Sequence, residues 1–325
     1  MIQIKNGKNN ISLSSLALAH FEKLNFKTNK KNLLKYSSLN LLSERIKGFR
    51  LKLEKQKKDF FLVWEKNDYE FMRKIFLTKP SDFPSLIDEI NLQLLSKKLT
   101  IDEIKVDLED IFRYDNWRGT LKCKWLFEQI NVFVCPYCNA EEVYKTDDKL
   151  FVEFDHFYPQ GEYPYLALSF YNLIPSCHHC NSTSKGYKPF CITSHLHPYL
   201  DNYNEIAHFD IDKKLIKYSD PFDIIINNIR PADNARLIKY NLDFELNTRY
   251  NRPKNKEKVR ILKEKRDEYS DSQIEEIVKS DLLPNITNRD ECIRALFDVI
   301  DENEIINKEY GKFQRDFLIN FGLIT

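Results

Sequence analysis

Four of the seven cysteines in this chain fall into two Cys-x-x-Cys pairs, Cys135/Cys138 and Cys177/Cys180. Two residues between thiols let the backbone fold back and aim both sulfurs at one point, so each pair is a two-ligand knuckle and two knuckles complete a tetrahedron. In a reducing compartment such spacing argues for metal rather than disulfides. A structural Zn²⁺ held by Cys135, Cys138, Cys177 and Cys180 is the expectation, pinning both ends of the segment between them. His178 and His179 lie inside the second pair as alternative donors, weaker for zinc than thiolate. Cys123, Cys191 and Cys292 read as small buried hydrophobes.

The rest of the 325-residue chain fits a mostly helical protein. Seven glycines are few for a fold rich in tight turns, and 42% apolar with 30% charged residues is a globular composition. The formal charge of +1 hides local asymmetry, with basic runs at 23–58 and 249–266 and acidic ones at 102–110 and 275–304. Net charge therefore neither supports nor excludes a nucleic-acid partner. The start, Met1-Ile2-Gln3-Ile4-Lys5, lacks an apolar leader core, and no run of about 18 apolar residues occurs, so a cytoplasmic protein with no membrane partner is expected.

From Ser14 to about Gln129 apolar residues recur at helical intervals: Leu16, Phe21 and Leu24, then Leu33, Leu34 and Leu41, then Phe60, Trp64, Ile75 and Phe76. Thr100-Ile-Asp-Glu103 is a capping box, and Gly119 punctuates before a helix over 121–130. Between Val132 and His208 the texture shortens. Residues 142–145 and 150–154 predict a hairpin feeding Asp155-His156, 165–171 a helical turn, and 180–185 a helix start on capping residues. Helices are expected again at 222–228, 231–240, 255–280, 289–301 and 304–318.

Within the cysteine-bounded stretch, Asp155 and His156 end the predicted hairpin, and Asn172 and Asn181 follow. A phosphodiester resists hydroxide because its oxygens are anionic. A hydrolase therefore needs a cation to neutralise charge and a base near neutrality, and histidine is the natural base. Oxygen donors from Asp and Asn suit a hard ion, the reverse of the sulfur clamp.

The runs Cys135-Pro-Tyr-Cys138, Phe154-Asp-His-Phe-Tyr-Pro159, Tyr171-Asn-Leu-Ile-Pro-Ser-Cys177-His-His-Cys180-Asn181 and Lys185-Gly186 resemble, in order, the HNH endonuclease superfamily with its ββα-metal core. The resemblance implies a zinc-clamped nuclease module with a small α+β core over 131–215; with the helical patterning on either side, the expectation is a mainly α protein with a helical region over 1–130 and another over 216–325. The resemblance also implies DNA, double-stranded rather than single, as substrate. His156 becomes the general base, Asp155 and Asn181 the ligands of a catalytic Mg²⁺ or Mn²⁺, and Asn172 the residue that holds the loop and orients the imidazole. Asn181 stands where the founding pattern has a second histidine, which favours an oxygen-loving ion. Lys185 is either a contact to a flanking phosphate or an exposed helix lysine.

Leu196-His197-Pro198-Tyr199-Leu200-Asp201 is also similar to the HNH effector subunits of Septu-like and retron-associated antiphage systems, which work with an ATPase partner. His197 reads as a structural residue beside the core. Arg249, Arg252 and Lys254 open the densest cationic run, which either tracks a phosphate backbone or forms a solvated helix face broken by Glu257 and Glu264. Tyr158, Tyr163, Tyr165 and Phe170 read as core filling. The contrasting expectation is a catalytically silent zinc module acting as a nucleic-acid or protein adaptor.

Overall fold

The computed structural model describes residues 2–25, 42–51, 53–213, 221–280 and 286–324. Leu33, Leu34, Leu41 and the Lys30-Lys31 pair lie outside the described residues. Helices dominate, and the strands described form three two-stranded antiparallel sheets. The chain divides into two compact units, one of Gln3–Val132 and Val143–Asp201, the other of Met1–Ile2, Phe133–Glu142 and Asn202–Thr325. Residues 131–215 are thus shared between them.

The first unit carries α1 (Leu13–Asn25), α2 (Leu42–Arg50), α3 (Lys55–Leu77), α4 (Phe83–Ser96), α5 (Ile101–Phe112), α6 (Tyr114–Arg118) and α7 (Leu121–Ile130). Its helices form for the expected reason. In α5, Ile104, Leu108, Ile111 and Phe112 recur on one buried stripe, and the Glu103 carboxylate accepts the Thr100 N–H at 2.7 Å to close the first turn. The α3 helix is interrupted where Asn67, Asp68 and Tyr69 take left-handed backbone. Phe60, Trp64, Phe76 and Phe112 are fully buried and meet ring to ring, forming the core.

Four short strands follow: β1 (Tyr144–Lys145), β2 (Leu150–Phe151), β3 (Glu153–His156) and β4 (Leu173–Ser176). The predicted hairpin is only half right. Tyr144 pairs with Phe151, but the strand bearing Asp155 and His156 pairs instead with β4, Asp155 opposite Ile174 and His156 opposite Leu173. The apolar β4 is buried along its length, so its backbone groups need a ladder partner away from water, and β3 supplies it. A single π-helical segment, His179–Lys185, comes next.

Three side-chain bonds tie β3 and the loop before β4 to the helices. Tyr114 Oη donates to the Phe154 carbonyl at 2.6 Å, Ser169 Oγ to the Ile75 carbonyl at 2.9 Å, and His20 Nε2 meets the Leu168 carbonyl at 3.0 Å. Tyr165 and Phe170 are buried as core filling, and Tyr158 with them.

The second unit contains β5 (Ala207–Ile211), β6 (Ile224–Asn228), α8 (Asn234–Asp243), α9 (Leu246–Tyr250), α10 (Pro253–Glu268), α11 (Asp271–Lys279), α12 (Arg289–Phe297) and α13 (Gly311–Asn320). The helix expected over 222–228 is a strand, because Ile224, Ile225 and Ile226 are β-branched and pair with β5 in register, Phe209 against Ile226. The long helix expected over 255–280 breaks at Ser270, whose hydroxyl caps the Gln273 N–H and starts a new helix. Asp298, in left-handed backbone, ends α12 early.

Candidate functional site

The sulfurs of Cys135, Cys138, Cys177 and Cys180 all lie within 4.8 Å of one another, and all four residues are buried. The seven cysteines form no disulfide. A tetrahedral zinc with bonds of about 2.3 Å sets its sulfurs about 3.8 Å apart. The donor set fits a thiolate-bound metal such as zinc.

Each knuckle is built locally. The Ala140 N–H points at Cys138 Sγ and the Cys180 N–H at Cys177 Sγ, both at 3.4 Å, an arrangement that stabilises sulfur charge. In the second unit, Asn139 leaves the first knuckle in left-handed backbone, tolerable for asparagine. Its Nδ2 donates to the carbonyls of Ile305 at 3.1 Å and Lys308 at 3.0 Å, while its Oδ1 accepts the Lys312 N–H at 2.9 Å. Tyr240 and Tyr250 hydroxyls donate to the carbonyls of Tyr137 and Cys138. Little in this turn is left to move.

In the first unit a cleft of about 1010 Å³ brings together Asp155, His156 and Asn181. His156 Nε2 lies 2.9 Å from the Ala167 carbonyl. A carbonyl only accepts, so the neutral ring carries its hydrogen on Nε2 and keeps the lone pair on Nδ1. The Tyr114 ring sits against the imidazole with centroids 4.2 Å apart. Loss of water around the ring pushes its pKa down to about 4, against the opposing pull of the Ala167 carbonyl and Asp155.

Asn172 is fully buried and does not line the cleft. Its Oδ1 accepts the Tyr158 N–H at 2.7 Å, and its Nδ2 donates to the carbonyls of Tyr158 and Leu166 at 3.1 and 3.2 Å. It therefore braces the loop that ends at the Ala167 carbonyl facing His156.

Lys185 matches neither expectation exposed to solvent or phosphate. It is 3% exposed, and its Nζ donates to Asp155 Oδ1 at 2.8 Å and to the His156 carbonyl at 2.6 Å. Asn181 turns its Nδ2 to Glu153 Oε2 at 2.6 Å, which leaves its amide oxygen as the remaining donor atom. Glu153 also accepts from Ser182 Oγ and meets His178 Nδ1, each at 2.8 Å. Burial alone would raise the Glu153 pKa, but these hydrogen bonds outweigh it and hold the carboxylate below its usual range. Among the described residues, only the cysteines form a cluster of three or more Cys, His, Asp or Glu ligand atoms. The Asp155 carboxylate and the Asn181 amide supply oxygen atoms of the kind a hard cation accepts.

Several residues of this site were not singled out by sequence. Glu153 was legible, since two residues before Asp155 in a strand places it on the same face. Arg113 and Tyr114 come from the α5–α6 junction and Arg118 from the end of α6, and no local signal ties them to the cleft they line. In the second unit, Arg252 and Lys254 are exposed at the start of α10. Arg249 is not an open backbone-tracking cation: it is buried, with Nη2 donating to Glu141 Oε1 at 2.6 Å. His197 is buried in a turn where its N–H donates to Asp201 Oδ2.

No family model, no curated protein and no solved structure matches this chain. No described helix is long and apolar enough to cross a membrane.

Proposed function

We propose that this chain is an HNH-type endonuclease that hydrolyses phosphodiester bonds in DNA, double-stranded DNA above all, with Mg²⁺ or Mn²⁺ at the cleft and Zn²⁺ in the cysteine clamp. The observation that carries the reading is the cleft wall itself, where Asp155, His156 and Asn181 stand together with the cations Arg113 and Arg118. The strand, strand, helix order of β3, β4 and residues 179–185 supports it.

His156 does the base work at Nδ1. Its other nitrogen is committed to the Ala167 carbonyl, so the Nδ1 lone pair receives the proton of the attacking water. Asn172 positions that imidazole by bracing Leu166, next to Ala167. Asp155 and Asn181 would hold the divalent ion, which would neutralise phosphate charge and support the leaving oxygen. Arg113 and Arg118 attract the DNA backbone without reading bases.

The narrower reading, the nuclease effector subunit of a bacterial antiphage system acting in the cytoplasm with an ATPase partner, rests on the Leu196–Asp201 resemblance alone. The rival is a catalytically silent zinc adaptor. One observation favours it: Lys185 already occupies an oxygen of Asp155.

Supercoiled plasmid incubated with the protein and Mg²⁺ or Mn²⁺, beside His156→Ala, tests the reading. Nicking is expected to fall by about 10²- to 10⁴-fold in the variant, with zinc content and fold retained. Folded, zinc-loaded protein that leaves plasmid intact, alone and with any co-purifying partner, favours the adaptor.

A further inference from the structure

A second, smaller cavity, of about 160 Å³, has walls that include Arg45 of α2, Arg113 at the α5–α6 junction and Lys122 of α7. Leu24, Trp117 and Leu168 contribute apolar surface, and among the described residues no carboxylate lines it. Two buried donors at this cavity, Arg45 Nε and Trp117 Nε1, have no hydrogen-bond partner among the described residues. Trp117 is only 5% exposed, so water cannot easily satisfy its N–H from outside.

The charges are as uneven as the hydrogen bonds. Burial and the charge of Arg113 push the Arg45 guanidinium down to about 10. Burial and the charges of Arg45 and Lys23 lower the Lys122 amine in the same way. Like charges crowded around one cavity, with two buried donors unanswered, are a costly arrangement in a folded protein unless an anion completes it.

We propose that this cavity is a binding site for a phosphate-class oxyanion, accepting hydrogen bonds from Arg45 Nε and Trp117 Nε1. Its size selects the ligand. Pockets that enclose whole drug-sized molecules span about 300–1,000 Å³, whereas this one holds a single tetrahedral anion. The phosphate arrives either as the free ion or as the terminal group of a nucleotide whose remainder stays outside. The cavity shares Arg113 and Asn116 with the catalytic cleft, and Leu168 follows Ala167, so the occupant touches both elements that hold His156.

The test is binding, independent of any cleavage. Zinc-loaded protein is titrated with inorganic phosphate by calorimetry and followed by thermal melting, at constant ionic strength in chloride. ATP and AMP form parallel arms. Saturable phosphate binding is expected, weakened about tenfold or more by Trp117→Phe, which keeps the ring and removes the donor, and by Arg45→Gln. Lys279→Gln, exposed and outside the cavity, should bind as the wild type does. ATP or AMP competing with phosphate would support the site and identify a nucleotide as its source. Competition by neither, with phosphate still bound, would support the free ion. Absence of saturable phosphate binding to the wild-type protein overturns the proposal whether or not the variants fold. So does equal binding by Arg45→Gln and the wild type.

Discussion

Lys185 and Asp155 form an ion pair sealed from water on both sides, Nζ 2.8 Å from Oδ1, with side chains 2% and 3% exposed. A pair buried this deeply gains little net stability, because desolvating both ions offsets their attraction, yet removing one partner strands the other. Here the stranded charge would sit at the strand that carries His156.

Lys185→Met is therefore expected to cost about 3–5 kcal/mol, read as a lowered urea midpoint. Combining it with Asp155→Leu should recover most of that loss, since neither charge then remains buried. A single variant as stable as the wild type would mean that Asp155 is satisfied without Lys185.

The cysteine clamp predicts one tightly bound zinc per chain. Cys138→Ser, or stripping with a strong chelator, should unfold the elements around the knuckles, because binding by a structural thiolate site is folding free energy, about 10–16 kcal/mol in small zinc modules. Metal analysis together with circular dichroism checks this. Retained structure in metal-free protein would remove zinc from the architecture.

Acid should destabilise the first unit through His20. Its ring is buried among Phe76, Trp117 and Phe170, and burial lowers its pKa from 6.5 to about 4. Above pH 6.5 the imidazole is neutral folded or unfolded and contributes no pH dependence. As pH falls from about 6.5 to about 4, the unfolded chain takes up a proton that the folded one refuses, so stability drops and then levels off, by about 3 kcal/mol in all. His20→Gln, which keeps a donor for the Leu168 carbonyl, should flatten that acid limb in melts run between pH 4 and 7.5.

Two arginines that look alike in sequence should behave oppositely. Arg249→Ala removes the buried partner of Glu141 and is expected to lower the melting temperature of the second unit. Arg118→Ala, exposed on the cleft, should leave stability within about 0.5 kcal/mol. If the proposed nuclease reading holds, it should instead weaken DNA binding by the His156→Ala protein and lower the salt slope of log Kd by about one.

The sequence by itself determined what depends on near neighbours along the chain. Ligand spacing made the two knuckles, periodicity made α5 and α7, and the Thr100 to Glu103 spacing made a cap, because knuckles, turns and helix stripes close within a few residues. Asp155, His156 and Asn181 were also legible as a group, from their order relative to the two cysteine pairs. Tertiary structure decided everything that needed a distant partner. Three isoleucines formed β6 because β5 was there to pair with them. Chain packing gave β3 the buried β4 rather than β2, sank Lys185 against Asp155 and Arg249 against Glu141, and carried Arg113 and Arg118 to the wall of a cleft whose chemistry lies some forty residues further on. Burial and pairing at that range are set by how helices and sheets cover one another. No local pattern of residues records that.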